Sequence, residues 1–162
     1  PKQLHHEPTT HRMRWIKNGD SAQLIVVPLH GRGNANGEGA GVKVMAYELP
    51  KNPEGEWKIE VINESMHLTH NLAVIGDDST KAILLGGKEG VKMIKNQGKT
   101  WQQETLTLSG NKGVGELRMG TNEKQTHFLA TIEPMHGTDL VAYDLKNKKR
   151  NVFQWPLSEW VV

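Results

Sequence analysis

Apolar and polar residues alternate along this chain in short runs, and no apolar i, i+3, i+4 spacing persists beyond about a turn. That pattern predicts strands and no helix. A first group lies around Met13 and Trp15, then at Leu24–Val27, Val42–Leu49 and Glu56–Ile62. A second runs His70–Ile75, Ala82–Leu85, Val91–Lys95 and Lys99–Leu106. The third is Val114–Met119, His127–Ile132, Leu140–Leu145 and a last strand within Arg150–Val162. Polar turns separate them, such as Asn18-Gly19-Asp20-Ser21 and Pro50 to Gly55. Asp77-Asp78-Ser79-Thr80 reads as a plain turn, because it lacks the alternating acids and glycine of a calcium loop.

The three groups are copies of one unit. Around His70 the chain reads LTHNLAVIGDDSTKAILLGGKEGVKMI; TTHRMRWIKNGDSAQLIVVPLHG and GVGELRMGTNEKQTHFLATIEPMHG are its counterparts on either side. AYEL (Ala46–Leu49) and AYDL (Ala142–Leu145) fill the same slot. Trp57 and Trp101 are 44 residues apart and His70 and Gly115 are 45 apart. The 59 residues from His11 to His70 contain a Gly-rich insertion that accounts for most of the excess. Units of about 45 residues with four strands each are the signature of β-propeller blades. The expected fold is therefore all-β, with blade I at about 9–63, blade II at about 67–108 and blade III at about 112–162. A ring needs roughly four to eight blades, so the reading is of part of a larger propeller, with an assembly of several copies as the alternative.

Composition narrows the chemistry. The chain has 162 residues, 36% hydrophobic and 23% charged, as in a globular domain. A net charge of +2 with scattered Lys and Arg gives no case for nucleic acid. The run Lys146-Asn147-Lys148-Lys149-Arg150 reads as a solvated hairpin turn. Without cysteine there is neither disulfide nor thiolate chemistry. No apolar run approaches the ~20 residues of a membrane-spanning helix, and no signal peptide is visible in a chain that begins at Pro1. Five glycines in the eleven residues from Gly31 to Gly41 predict a long loop whose backbone can approach something closely. A phosphate cradle is disfavoured there, since neither GK[ST] nor a helix follows.

In a propeller the start of each first strand and the end of each second strand share one rim of the axial channel. His11 and His70 stand at first-strand starts, and His67 just before one. His30 and His136 stand at second-strand ends, where Glu89 fills the middle blade's slot. His5 and His6 lie in the lead-in to that rim, and only His127 falls at the opposite end. A single histidine at a loop end is more often a backbone hydrogen-bonding group than a ligand. Several imidazoles and carboxylates near one axis are how metal and acid–base sites are built. Imidazole with carboxylate suits zinc or another divalent first-row metal. His30, His70 and His136 are the expected ligands, with His11 or Glu89 completing the set, and Glu89, Glu133 and His67 are the acid–base candidates. Arg32, Asn34, Glu38 and Asn71 are the expected substrate contacts. Trp57, Trp101 and Trp160 recur near fourth strands, as packing between blades would require.

The motifs PTTHRMRW, PLHGRGN followed by GEGAGV, HLTHN and EPMHG resemble those of aldos-2-ulose dehydratase and its bacterial relatives, propellers of the FG-GAP/VCBS-repeat type. The resemblance covers nearly the whole chain. It implies part of a seven-bladed propeller and a carbohydrate dehydratase or lyase with a metal held by histidines in the axial cleft. It also implies a secreted or periplasmic setting, with the remaining blades of a longer chain as partner. On this chain the matching positions are His11, His30, His70 and His136, then Glu89 and His67. The Asp-rich calcium turns of that group are degenerate here. The alternative is a non-catalytic propeller that binds a glycan or protein partner through the same face.

Overall fold

The computed structural model describes residues 3–76, 81–97, 100–106 and 113–153. Its main elements are three antiparallel four-stranded sheets. Sheet one is β1 (Thr10–Asn18), β2 (Ser21–Pro28), β5 (Val44–Glu48) and β6 (Lys58–Asn63), in that order. Between β2 and β5 a two-residue pair, β3 (Asn34–Ala35) and β4 (Glu38–Gly39), forms a small ribbon. Sheet two runs β7 (Thr69–Ile75), β8 (Ala82–Gly87), β9 (Gly90–Asn96) and β10 (Trp101–Leu106). Sheet three runs β11 (Leu117–Thr121), β12 (His127–Glu133), β13 (Asp139–Asp144) and β14 (Lys149–Phe153). These are propeller blades in sequence order, and the described residues contain no helix.

The first strands are innermost: β7 packs against both β1 and β11. Two apolar layers join the blades. Ile16, Ile25, Val27 and Ala46 of blade I meet Leu72, Ile83, Leu85 and Ile94 of blade II, with Met66 between them. Leu84 and Val91 of blade II meet Leu117, Leu129, Val141 and Tyr143 of blade III. Blade II thus buries both faces, which is why β8 is buried from Ala82 to Gly87 and reads as an unbroken apolar run. Trp101 packs in the first layer, with its indole N–H donating to Glu60 of blade I at 3.2 Å. Trp57 lies instead on blade I's other face, with Leu24, Val26, Met45 and Tyr47, its ring centre 6.4 Å from that of Trp15.

The Gly-rich segment is more ordered than the expected loop. Ala35-Asn36-Gly37-Glu38 makes a tight hairpin with positive φ at Asn36 and Gly37, the geometry Asn-Gly favours. The close approach is to the chain itself: a Cβ at Gly41 would collide with the Glu64 carbonyl. The basic run 146–150 is also only partly a solvated turn. Lys149 and Arg150 begin β14, and Arg150 reaches the buried Glu133 carboxylate at 2.8 Å. Asp77–Thr80, Trp160 and the end of the last expected strand lie outside the described residues.

Candidate functional site

Each of the first two blades opens with the same irregularity. In β1 the pairing passes from Thr10↔Pro28 to Arg12↔Val27, leaving His11 as the extra residue. In β7 it passes from Thr69↔Gly87 to Asn71↔Gly86, leaving His70. Both histidines are therefore bulge residues, placed where a bulge re-aims a side chain at the end of a sheet. Blade III has Gly115 in this slot. A Cβ there would stand 3.1 Å from the backbone nitrogen of His136, so the missing side chain lets the 134–137 turn close in. His136 itself has a left-handed φ of 64°, a conformation non-glycine residues adopt mainly where surrounding structure enforces it.

These placements bring together one imidazole from each blade. The ring centres of His11 and His70 are 5.0 Å apart, and those of His70 and His136 are 4.6 Å apart. His70 Nδ1 lies 2.5 Å from the Gly115 carbonyl oxygen. A carbonyl only accepts, so Nδ1 carries the proton and Nε2 keeps its lone pair. The Nε2 of His11 is buried without a hydrogen-bond partner. Burial, then Arg12, then His70 and His136, hold the His11 pKa below its ordinary value, favouring the neutral ring.

His30 follows the end of β2, and its ring makes no ring contact with the other three among the described residues. Its Nδ1 is also buried without a partner. The turn it begins is clamped by the lead-in: the N–H groups of His30 and Gly31 donate to Thr9 Oγ1 at 3.1 and 3.2 Å. That of Arg32 donates to the buried Glu7 carboxylate at 2.8 Å. Neither Glu7 nor Thr9 is legible as a site residue in sequence, because the contact spans more than twenty positions and no motif marks it.

A second pair lies three residues before His70. Glu89 Oε1 accepts from the His67 backbone N–H at 2.9 Å and lies 3.0 Å from His67 Nδ1. With Nδ1–H donating to the carboxylate, His67 Nε2 is left as an acceptor. Glu133 differs sharply. It is fully buried, with Oε1 accepting from Thr131 at 3.0 Å and Tyr143 at 2.6 Å, and Oε2 from Arg150. Both oxygens of this carboxylate accept from donors inside blade III, against the expectation of a catalytic acid or base.

The expected substrate contacts divide. Arg32 and Glu38 have exposed side chains, though Glu38 is paired with Lys88 at 2.8 Å. Asn34 is a staple: its amide donates to Ala40 O at 2.7 Å and His67 O at 2.8 Å, and its oxygen accepts from Gly37 N. Asn71 is buried and donates to Glu116 Oε2 at 2.5 Å. Neither amide is free for a ligand.

The donor chemistry suits a divalent metal. Three imidazoles converge, His70 is oriented by a carbonyl as metal-bound histidines commonly are, and His11 presents an orphaned nitrogen. As the rings stand, no three His, Asp or Glu side chains among the described residues form an assembled ligand set.

A family model described as aldos-2-ulose dehydratase, beta-propeller domain, covers residues 2–147, which takes in all three blades up to the last strand. Comparison with curated proteins gives no match.

Proposed function

The chain belongs to the aldos-2-ulose dehydratase β-propeller family, and from that premise we propose that it is a carbon–oxygen lyase removing water from a sugar or keto-sugar at its axial rim. The observation that carries this reading is the convergence of His11, His70 and His136, one from each blade, within 5.0 Å of a neighbouring ring centre. Apolar packing alone gives no reason for three imidazoles to meet there.

Dehydration beside a carbonyl needs a base for the α C–H and an acid for the β-oxygen. We assign the base to His67, whose ring is oriented by Glu89 and whose Nε2 is free to accept. The C–H electron pair becomes the new C=C bond as the β C–O bond breaks. The proton taken up by His67 passes to the departing hydroxide, which leaves as water. Glu133 takes no part, since it is fully buried and both its oxygens accept from donors inside blade III. A bound divalent metal, zinc by ligand preference, would be held by His11, His70 and His136 and would supply Lewis-acid polarisation of the carbonyl. Further blades, in this chain or another, would complete the ring around the channel.

The test is incubation with an aldos-2-ulose, followed by the ultraviolet absorbance of an unsaturated product. Product that disappears in His67→Ala supports the lyase. Sugar binding without product supports the non-catalytic glycan-binding alternative instead.

A further inference from the structure

Blade I carries one insertion that blade II lacks, and it reaches the proposed base. In blade II the turn from β8 to β9 is only Lys88-Glu89, between the paired Gly87 and Gly90. In blade I the chain runs from Leu29 to Lys43 between β2 and β5, folding back on itself as the β3–β4 ribbon. The tip of the ribbon sits against the lead-in to blade II. A Cβ on Gly37 would stand 3.3 Å from that of Leu68 and 3.4 Å from Lys88 Cδ. Lys88 Nζ also donates to the Gly37 carbonyl at 3.2 Å and to Glu38 at 2.8 Å.

The segment beneath it, Met66-His67-Leu68, has all three carbonyls held. Met66 O accepts from Val42 N at 2.7 Å, and Leu68 O from Lys88 N at 2.8 Å. The middle carbonyl, that of His67, accepts instead from a side chain, Asn34 Nδ2 at 2.8 Å, 33 positions away. On its other side His67 is held by Glu89 Oε1, which takes both the backbone N–H and ring Nδ1. Glu89 alone would tie the residue at one atom and leave it free to pivot there. The Asn34 bond supplies a second fixed point. Asn34 is itself locked, since Nδ2 also donates to Ala40 O and Oδ1 accepts from Gly37 N, so the ribbon that carries the amide sets its orientation.

We infer that Asn34 is a positioning residue: acting through the His67 carbonyl, it holds the base in register with the sugar, and the Gly-rich insertion of blade I is the arm that carries it. This rests on the reading of His67 as the base. The Asn34 amide is fully occupied by the chain, so its effect falls on proton abstraction rather than on sugar binding. A base displaced by about 1 Å can slow the step by roughly a hundredfold while the substrate still binds.

The experiment follows the full chain by two readouts: steady-state product formation from an aldos-2-ulose, and hydrogen exchange of the His67 amide by NMR. Asn34→Asp keeps the acceptor for Gly37 N and loses the donor to His67 O. It should lower kcat by roughly tenfold or more with KM within about twofold. Exchange of the His67 N–H should speed by roughly fivefold, as the loss of about one hydrogen bond allows. Asn34→Ala should do the same to kcat, which separates the lost donor from the added charge. Lys88→Met loosens the ribbon tip without touching His67 and should change neither readout. Circular dichroism melts confirm that each variant folds. Where the wild-type chain forms product, four results overturn the inference and leave the lyase reading in place. They are an unchanged kcat in Asn34→Asp, a rise in KM in place of the fall in kcat, unchanged exchange at His67, and an equal response to Lys88→Met. A wild-type chain that forms no product, with His67 exchange that responds to Asn34→Asp and not to Lys88→Met, removes the lyase reading and keeps Asn34 as the group that fixes His67. Unchanged exchange in such a chain overturns both.

Discussion

Two polar clusters, one inside blade III and one on the rim beside it, teach different things. In the body of blade III, Glu133, Thr131, Tyr143 and Arg150 form a closed set: every carboxylate oxygen has a donor and the Arg150 N–H groups are aimed at acceptors. At the rim, the His70 ring lies against those of His11 and His136, and His11 Nε2 is buried without a partner. A satisfied buried network rigidifies and specifies a core, whereas an unsatisfied one needs another reason to persist. The contrast separates a closed cluster from an open one without reference to residue type, since both contain ionisable groups.

The largest effect should come from breaking the closed set. Glu133→Ala leaves the Arg150 cation and the Tyr143 hydroxyl without their acceptor and should destabilise by about 3–5 kcal/mol. In a domain of this size that lowers Tm by roughly 2–4 °C per kcal/mol. His70→Ala is the counter-experiment. It removes one hydrogen bond to Gly115 and should cost about 1 kcal/mol while abolishing product formation. The comparison breaks if the two variants melt alike, or if Glu133→Ala abolishes activity while folding normally.

Which cluster was which could not be read from residue letters. The blades were legible because a four-stranded unit must repeat its apolar period, and the AYEL and AYDL slots fixed the alignment. The strand limits moved by only a few residues, as where β11 begins at Leu117 rather than Val114. His11, His70 and His136 were legible by topology, because strand order alone sends those positions to one rim. Their partners were not. Glu133 precedes His136 in EPMHG and looks like part of the same motif, yet a strand's alternation turns it into the blade with Leu129 and Thr131. Asn34 and Asn71 looked like ligand contacts, but a polar side chain in a tight loop or at a bulge is first claimed by nearby backbone.

An intermediate effect sharpens the comparison from the packing side. Trp101 fills the layer between blades I and II and ties it with one hydrogen bond to Glu60. Trp101→Phe keeps most of the apolar surface and loses the bond, for an expected cost of about 1 kcal/mol. Product formation should be unchanged, because this residue belongs to the outermost strand of its blade. A loss of activity larger than the loss of stability would mean that the blade-to-blade angle sets the imidazole spacing.

The smallest effect is a tilt of stability with pH, and it tests whether the rim is as unsatisfied as its geometry says. Burial, Arg12, His70 and His136 lower the folded-state pKa of His11 from its model-peptide value of 6.5. Between the lowered value and about 6.5 the unfolded chain binds more protons than the folded one, so stability rises with pH in that window. Above it both states are neutral at this site and His11 contributes no pH dependence. Below it the penalty is complete and constant. Melting curves recorded in chelator from about pH 7.5 down to pH 5.5 should therefore fall more steeply for the wild-type chain than for His11→Gln. Identical slopes would mean that His11 is solvated like an ordinary surface histidine. The contrast between an open rim and a closed network would then rest on Glu133 alone.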